Sequence, residues 1–134
     1  MDTVQRKVEV VSKSEIRNND LGDYFIDENG CVVFKIADTG VDEYNTLILI
    51  HELIEELLTR RRGLQEKEIT EFDAMFEKER QDGIWVNDEE PGFDNRCPYK
   101  KEHELATIVE RMICHEAGID FKTYDDYLIS MYEL

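Results

Sequence analysis

The apolar residues of this chain change period along its length. Between residues 3 and 11, "TVQRKVEVV" places Val at 4, 8, 10 and 11, a partial alternation that predicts a strand. "DYFIDENGCVVFKIA" is clearer, with two β-rich runs at 24–26 and 31–37 on either side of "DENG". Asn29 and Gly30 both tolerate positive φ, so the pair predicts a hairpin turn. Asp38, Thr39 and Gly40 end the second run.

From residue 42 to 62 the spacing becomes helical. Gly63 follows as the residue after the cap, and Arg60, Arg61 and Arg62 fill the last turn, where cations suit the helix dipole. A second helix runs from Glu66 or Glu71 to Gln81, with Ile69, Phe72, Met75 and Phe76 on one side. A third begins near Pro98 and ends at Gly118, its apolar face made by Leu105, Ala106, Val109, Met112 and Ile113. A short last helix follows Thr123. Between the second and third, "IWVNDEEPGFDNRCP" is long for a connector, with Trp85 and Phe93 to pin it, and such loops are often functional. These elements predict an α+β fold, an N-terminal β-hairpin or small antiparallel sheet packed on a bundle of three to four helices. The 134 residues suit a single domain, β-rich over 1–41 and helical over 42–134.

Charge narrows the function classes. Thirty-two acidic against 16 basic residues give a net charge of −16, which repels phosphate backbones and disfavours nucleic acid and anionic membranes as partners. The longest apolar runs are about four residues against the ~20 that span a bilayer. No leader is visible, and three cysteines without a CxxC pair point away from a disulfide framework, so the expected compartment is the cytoplasm. The partners left are a protein or a small-molecule substrate, and a carboxylate-rich site would draw a divalent cation.

Candidate chemistry begins at "HELIEE", residues 51–56. On a helical wheel His51 and Glu55 fall within about 40° of each other at the edge of the apolar face, one turn apart, while Glu52 and Glu56 fall further round toward solvent. That spacing lets one helix offer two ligands to one metal, as the two imidazoles of HExxH do. With a carboxylate as the second ligand the site suits zinc, manganese or iron. A second histidine, His103 in "KEHELATIVE", shares a flank with Thr107, Glu110 and Cys114, and two packed helices could bring His51, Glu55 and His103 to one point. Asp73 is a candidate fourth ligand or a helix-capping carboxylate. Glu52 is the candidate general base if the centre is catalytic. Cys97, just before Pro98 at a helix start, is a candidate activated thiol.

Taken together, "HELIEELL", "EFDAMFE", "EPGFDNRCPY" and "EHELATIVE" resemble a group of small uncharacterised phage and prophage proteins over residues 47–110. That resemblance implies a phage or mobile-element origin and carries no activity. Glu52-xx-Glu55 is also similar to the first carboxylate pair of the all-α NTP pyrophosphatases, which hold magnesium, although Thr70 stands where the second pair of that family needs Glu. A hairpin followed by a helix containing "HEL" resembles zincin metalloproteases, without their second histidine. The expectation is a metal-binding phage-type protein, a metal-dependent hydrolase if an enzyme. The alternative is a non-enzymatic acidic interaction module with structural histidines.

Overall fold

A computed structural model of the chain describes residues 3–84 and 90–132. Three strands, β1 (Arg6–Val11), β2 (Gly22–Ile26) and β3 (Val32–Ala37), form one sheet in the order β1-β3-β2. The hairpin is where the pattern placed it, with β2 antiparallel to β3 and Ile26 opposite Val32. Its turn closes through Gly30 N–H to the Asp27 carbonyl at 3.0 Å, while the Asp27 carboxylate accepts from the amides of Asn29 and Cys31, both at 2.9 Å. Of the Asn-Gly pair Gly30 alone takes the left-handed conformation, at φ 79°.

The third strand departs from an all-antiparallel arrangement. β1 runs parallel to β3, from Arg6 beside Val32 to Val11 beside Ala37. The chain after β1 doubles back through two 3-10 turns, Lys13–Glu15 and Arg17–Asn19, and enters β2 on the far side of β3. Alternation within a strand is blind to direction, so only this crossover could reveal the mixed sheet. As the middle strand, β3 is buried at Val32, Val33, Phe34, Ile36 and Ala37, which explains its nearly unbroken apolar run.

Four helices follow: α1 (Asp42–Arg62), α2 (Glu66–Gln81), α3 (Lys100–Ala117) and α4 (Phe121–Met131). Gly63 and Gly118 end α1 and α3 at φ 82° and 72°, conformations that cost a glycine little. α4 starts two residues ahead of Thr123 because Asp120 caps it, accepting from the Thr123 amide at 3.0 Å and hydroxyl at 2.7 Å. No helix among the described residues is long and apolar enough to cross a membrane.

Two apolar clusters flank the helix seam. One joins sheet and helices through Ile16, Leu21, Ile36, Leu47, Ile48, Cys114, Tyr124 and Leu128, and the other gathers Phe72, Phe76, Cys97 and Tyr99. Between them α1 and α3 meet on a row of polar side chains. The expected apolar face of α3 is only partly inward: Leu105 and Met112 are 41% and 62% exposed, whereas His103, Ala106, Glu110 and Cys114 are buried. The flank, not the apolar stripe, makes the seam, because its polar groups pair across the two helices and so can be buried together.

Candidate metal centre

His51 and Glu55 lie one turn apart on α1, and His103 reaches them from α3. The three side chains meet at one point: His51 Nε2 is 2.5 Å from Glu55 Oε2, His103 Nδ1 is 2.6 Å from the same oxygen, and the two nitrogens are 3.0 Å apart. All three residues are at least nine-tenths buried. Together they are a group that could hold a metal ion. The donors are packed more closely than the roughly 3.4 Å separation of two ligands 2.1 Å from a tetrahedral zinc. The tighter spacing is that of hydrogen-bonded side chains, and an ion would need the three donors to move apart.

Each imidazole is backed by a carboxylate on its other nitrogen. His51 Nδ1–H donates to Glu110 Oε1, and Glu110 Oε2 accepts from the Tyr124 hydroxyl at 2.7 Å. His103 Nε2 lies 2.8 Å from Glu90 Oε2, an ion-pair distance, yet the approach is out of line for a hydrogen bond. The contact is an ion pair. Such outer carboxylates favour the proton on the ring nitrogen they face, which would leave the other nitrogen as the donor atom toward an ion. The His103 ring is covered from outside as well. A Cβ on buried Gly92 would fall on the His103 ring, 2.5 Å from Cδ2 and Nδ1, so only glycine lets this turn close over the imidazole.

The electrostatics follow from the crowding. Burial raises the proton affinity of Glu55, but the neighbouring His51 charge and the hydrogen bonds of both histidines outweigh it and hold the carboxyl at about 2. Burial pulls His103 down, while Glu55 and Glu90 lift it to about 9. For His51 burial likewise opposes protonation, and the charges of Glu55 and Glu110 with their hydrogen bonds raise it well above the ordinary value. These directions favour protonated imidazoles around an ionised Glu55.

The group opens on a cavity of about 170 Å³, which Glu52, Asp73, Glu90, Asp20 and Tyr99 also line. Glu52 does not point to solvent as its wheel position implied. It is half-buried against Gly22, where a Cβ would come within 2.6 Å of its Oε1. Burial, then the charge of Glu55, pushes its carboxyl well above the usual range. Glu56 is buried too, but away from this group, paired with Arg60 at 2.7 Å and Arg6 at 3.5 Å.

Asp73 falls outside the three-ligand group. It sits inside α2, which begins at Glu66, so it caps nothing; instead it accepts from the Tyr99 hydroxyl at 2.5 Å. Burial lifts its carboxyl to about 7, against the lowering effect of that hydrogen bond. Cys97 is no activated thiol, since burial pushes it up to about 12. Trp85 of the long connector lies outside the described residues.

Glu90, Gly92, Tyr99 and Tyr124 were not among the expected site residues. Glu110 was legible as a neighbour of His103 on the same flank, seven residues on. Glu90 and Gly92 belong to irregular backbone, where no periodicity tells which side chain turns inward. No family model, curated protein or solved structure matches the chain.

Proposed function

We propose that this protein binds one divalent metal ion on His51, Glu55 and His103 and is a hydrolase acting on a small substrate admitted through the adjoining cavity. The observation that carries this reading is the convergence of two imidazole nitrogens and one carboxylate oxygen on a single buried point. Two histidines and a glutamate are a donor set of zinc hydrolases with a fourth position left open, and they also suit manganese or iron(II). Such an ion, when bound, polarises a substrate oxygen and makes a water easier to deprotonate. The chain's own residues have separate parts. His51, Glu55 and His103 hold the ion, Glu110 orients the His51 imidazole, Glu90 lies beside His103 as a counter-charge, and Glu52 is the base that takes a proton in the cavity. Asp73, held at about 7, is the second group there able to carry that proton. A phage-type origin belongs to the same proposal and rests on the motif pattern alone.

The test is zinc, manganese and iron(II) titration of chelator-stripped protein, followed by assay on chromogenic esters, amides and phosphoesters. The expected result is one ion per chain, turnover only with metal, and loss of turnover with retained metal in Glu52→Gln. Binding without turnover on any substrate class removes the enzymatic part and leaves the metal-binding part.

A second reading has one observation of its own. Ile108 and Met112, 53% and 62% exposed, join Leu105 in an apolar stripe on the outer side of α3, in a chain of net charge −16. These features support an interaction module in which His51 and His103 are buried imidazolium ions that neutralise Glu55, Glu90 and Glu110. A protein that takes up no metal and melts unchanged with chelator would favour it.

A further inference from the structure

His51 is tied to a line of buried groups leading away from the ligand point. Its Nδ1–H donates to Glu110 Oε1, and the Tyr124 hydroxyl donates to Glu110 Oε2 at 2.7 Å. The three residues are 8%, 7% and 1% exposed and come one each from α1, α3 and α4. The Tyr124 ring is itself fixed, 5.0 Å from the Tyr44 ring and 5.9 Å from that of Phe121. His103 has no equal support. Glu90 stands off-line to its Nε2, 30% exposed, on irregular chain ahead of the turn Pro91–Phe93.

We infer that Glu110 and Tyr124 are positioning residues for the metal ligand His51, and that the docking of α4 therefore sets the affinity of the metal centre. The assignment rests on the metal-binding reading above and adds to it the part of the fold that controls the site. A carboxylate at Nδ1 keeps the proton there and turns the Nε2 lone pair toward Glu55 and His103. Its charge also makes the imidazole a stronger donor. Glu110 has one oxygen on each partner, so it cannot rotate without losing both hydrogen bonds. Remove the Tyr124 hydroxyl and Glu110 is free to turn, so the His51 ring must be ordered anew when an ion binds. Among the described residues α4 makes no hydrogen bond to a ligand and acts through this line.

The experiment uses the untagged full-length chain, stripped with chelator and titrated with zinc against a chromophoric chelator. Wild type is compared with Tyr124→Phe, Glu110→Gln and Glu90→Gln, and each is also loaded with cobalt(II) for its visible spectrum. Glu110→Gln should weaken zinc about 10- to 100-fold, the usual effect of losing an outer partner. Tyr124→Phe, which keeps the ring and its packing, should weaken zinc less than Glu110→Gln but measurably, and shift the cobalt spectrum. Glu90→Gln should cost less than Glu110→Gln. A role confined to packing would lower the metal-free melting temperature and leave zinc affinity and cobalt spectrum unchanged, which would overturn the inference. If Glu110→Gln fails to fold, Tyr124→Phe alone decides. If wild type binds no zinc, the metal-binding reading falls and this inference with it; if wild type binds and both variants match it within twofold, only the inference falls.

Discussion

His51 Nε2 and His103 Nδ1 face each other 3.0 Å apart with a shared carboxylate oxygen of Glu55 beside both, although 52 residues separate them in the chain. Two ring nitrogens and an anionic oxygen at such distances need something positive between them, either protons or a metal ion.

The metal-free protein should lose stability as pH rises. His103 is raised to about 9 in the folded chain from an ordinary 6.5, so its contribution is full below about 6.5 and disappears as pH climbs through 9. Asp73 acts in the same direction. Raised from 3.8 to about 7, it favours the folded state only while protonated, and stability falls between those values. Glu55, depressed to about 2, withdraws its contribution only when pH drops below about 4.5 toward 2. Melting temperatures of chelator-treated protein should therefore decline from pH 5 to 9. Metal-loaded protein should resist that decline, because an ion displaces the same protons. A flat profile without metal would contradict the assigned proton occupancy.

Adjacent glutamates on α1 should separate ligand from bystander. Glu55→Gln should weaken zinc by more than the ~10–100-fold typical of an outer partner. Glu56→Gln should leave zinc affinity unchanged and cost about 1 kcal/mol of stability, since its partners Arg60 and Arg6 are 40% and 38% exposed. Competition titration and denaturant melts check both. Equal zinc affinity in the two variants would remove Glu55 from the site.

Gly92→Ala should disturb His103 specifically. The added methyl lands on a rigid ring rather than on a flexible chain end, so ring or turn must move. Overpacking of this kind costs typically ~1–3 kcal/mol. A drop of that size in denaturant stability, with weakened zinc binding, is the expected result; wild-type values for both would show that the turn does not clamp the imidazole.

Tyr99→Phe should raise the pKa of Asp73 above about 7, because the hydroxyl it deletes stabilises the carboxylate. Carbon-detected NMR titration of aspartate carboxyls measures this directly. A fall in that pKa would contradict the hydrogen bond.

Much of the fold was legible in residue spacing, and the reasons for the rest are physical. The Asn29-Gly30 turn and the glycines that stop α1 and α3 are local signals, and each marks its element within a residue or two. The parallel pairing of β1 with β3 depends on where the chain returns after Val11, which no local pattern encodes. At the site, i and i+4 spacing identified His51 with Glu55, and a shared flank pointed to His103. The wheel failed for Glu52 and Glu56, because it assumes that a helix buries its apolar side alone. α1 is covered on several sides, with Gly22 against Glu52 and Arg60 over Glu56. Asp73, a candidate fourth ligand or cap in the sequence, is engaged instead by the Tyr99 hydroxyl, a partner 26 residues away that no local spacing reveals.

The most direct test is the metal content of the protein itself. Untagged wild type, purified without added chelator, should carry close to one equivalent of zinc, manganese or iron per chain by elemental analysis. His51→Ala and Glu55→Gln, purified in parallel and verified as folded, should carry almost none. A wild-type chain free of transition metal, with no uptake on incubation with any of the three ions, would contradict the account and leave His51, Glu55 and His103 as a buried charge network.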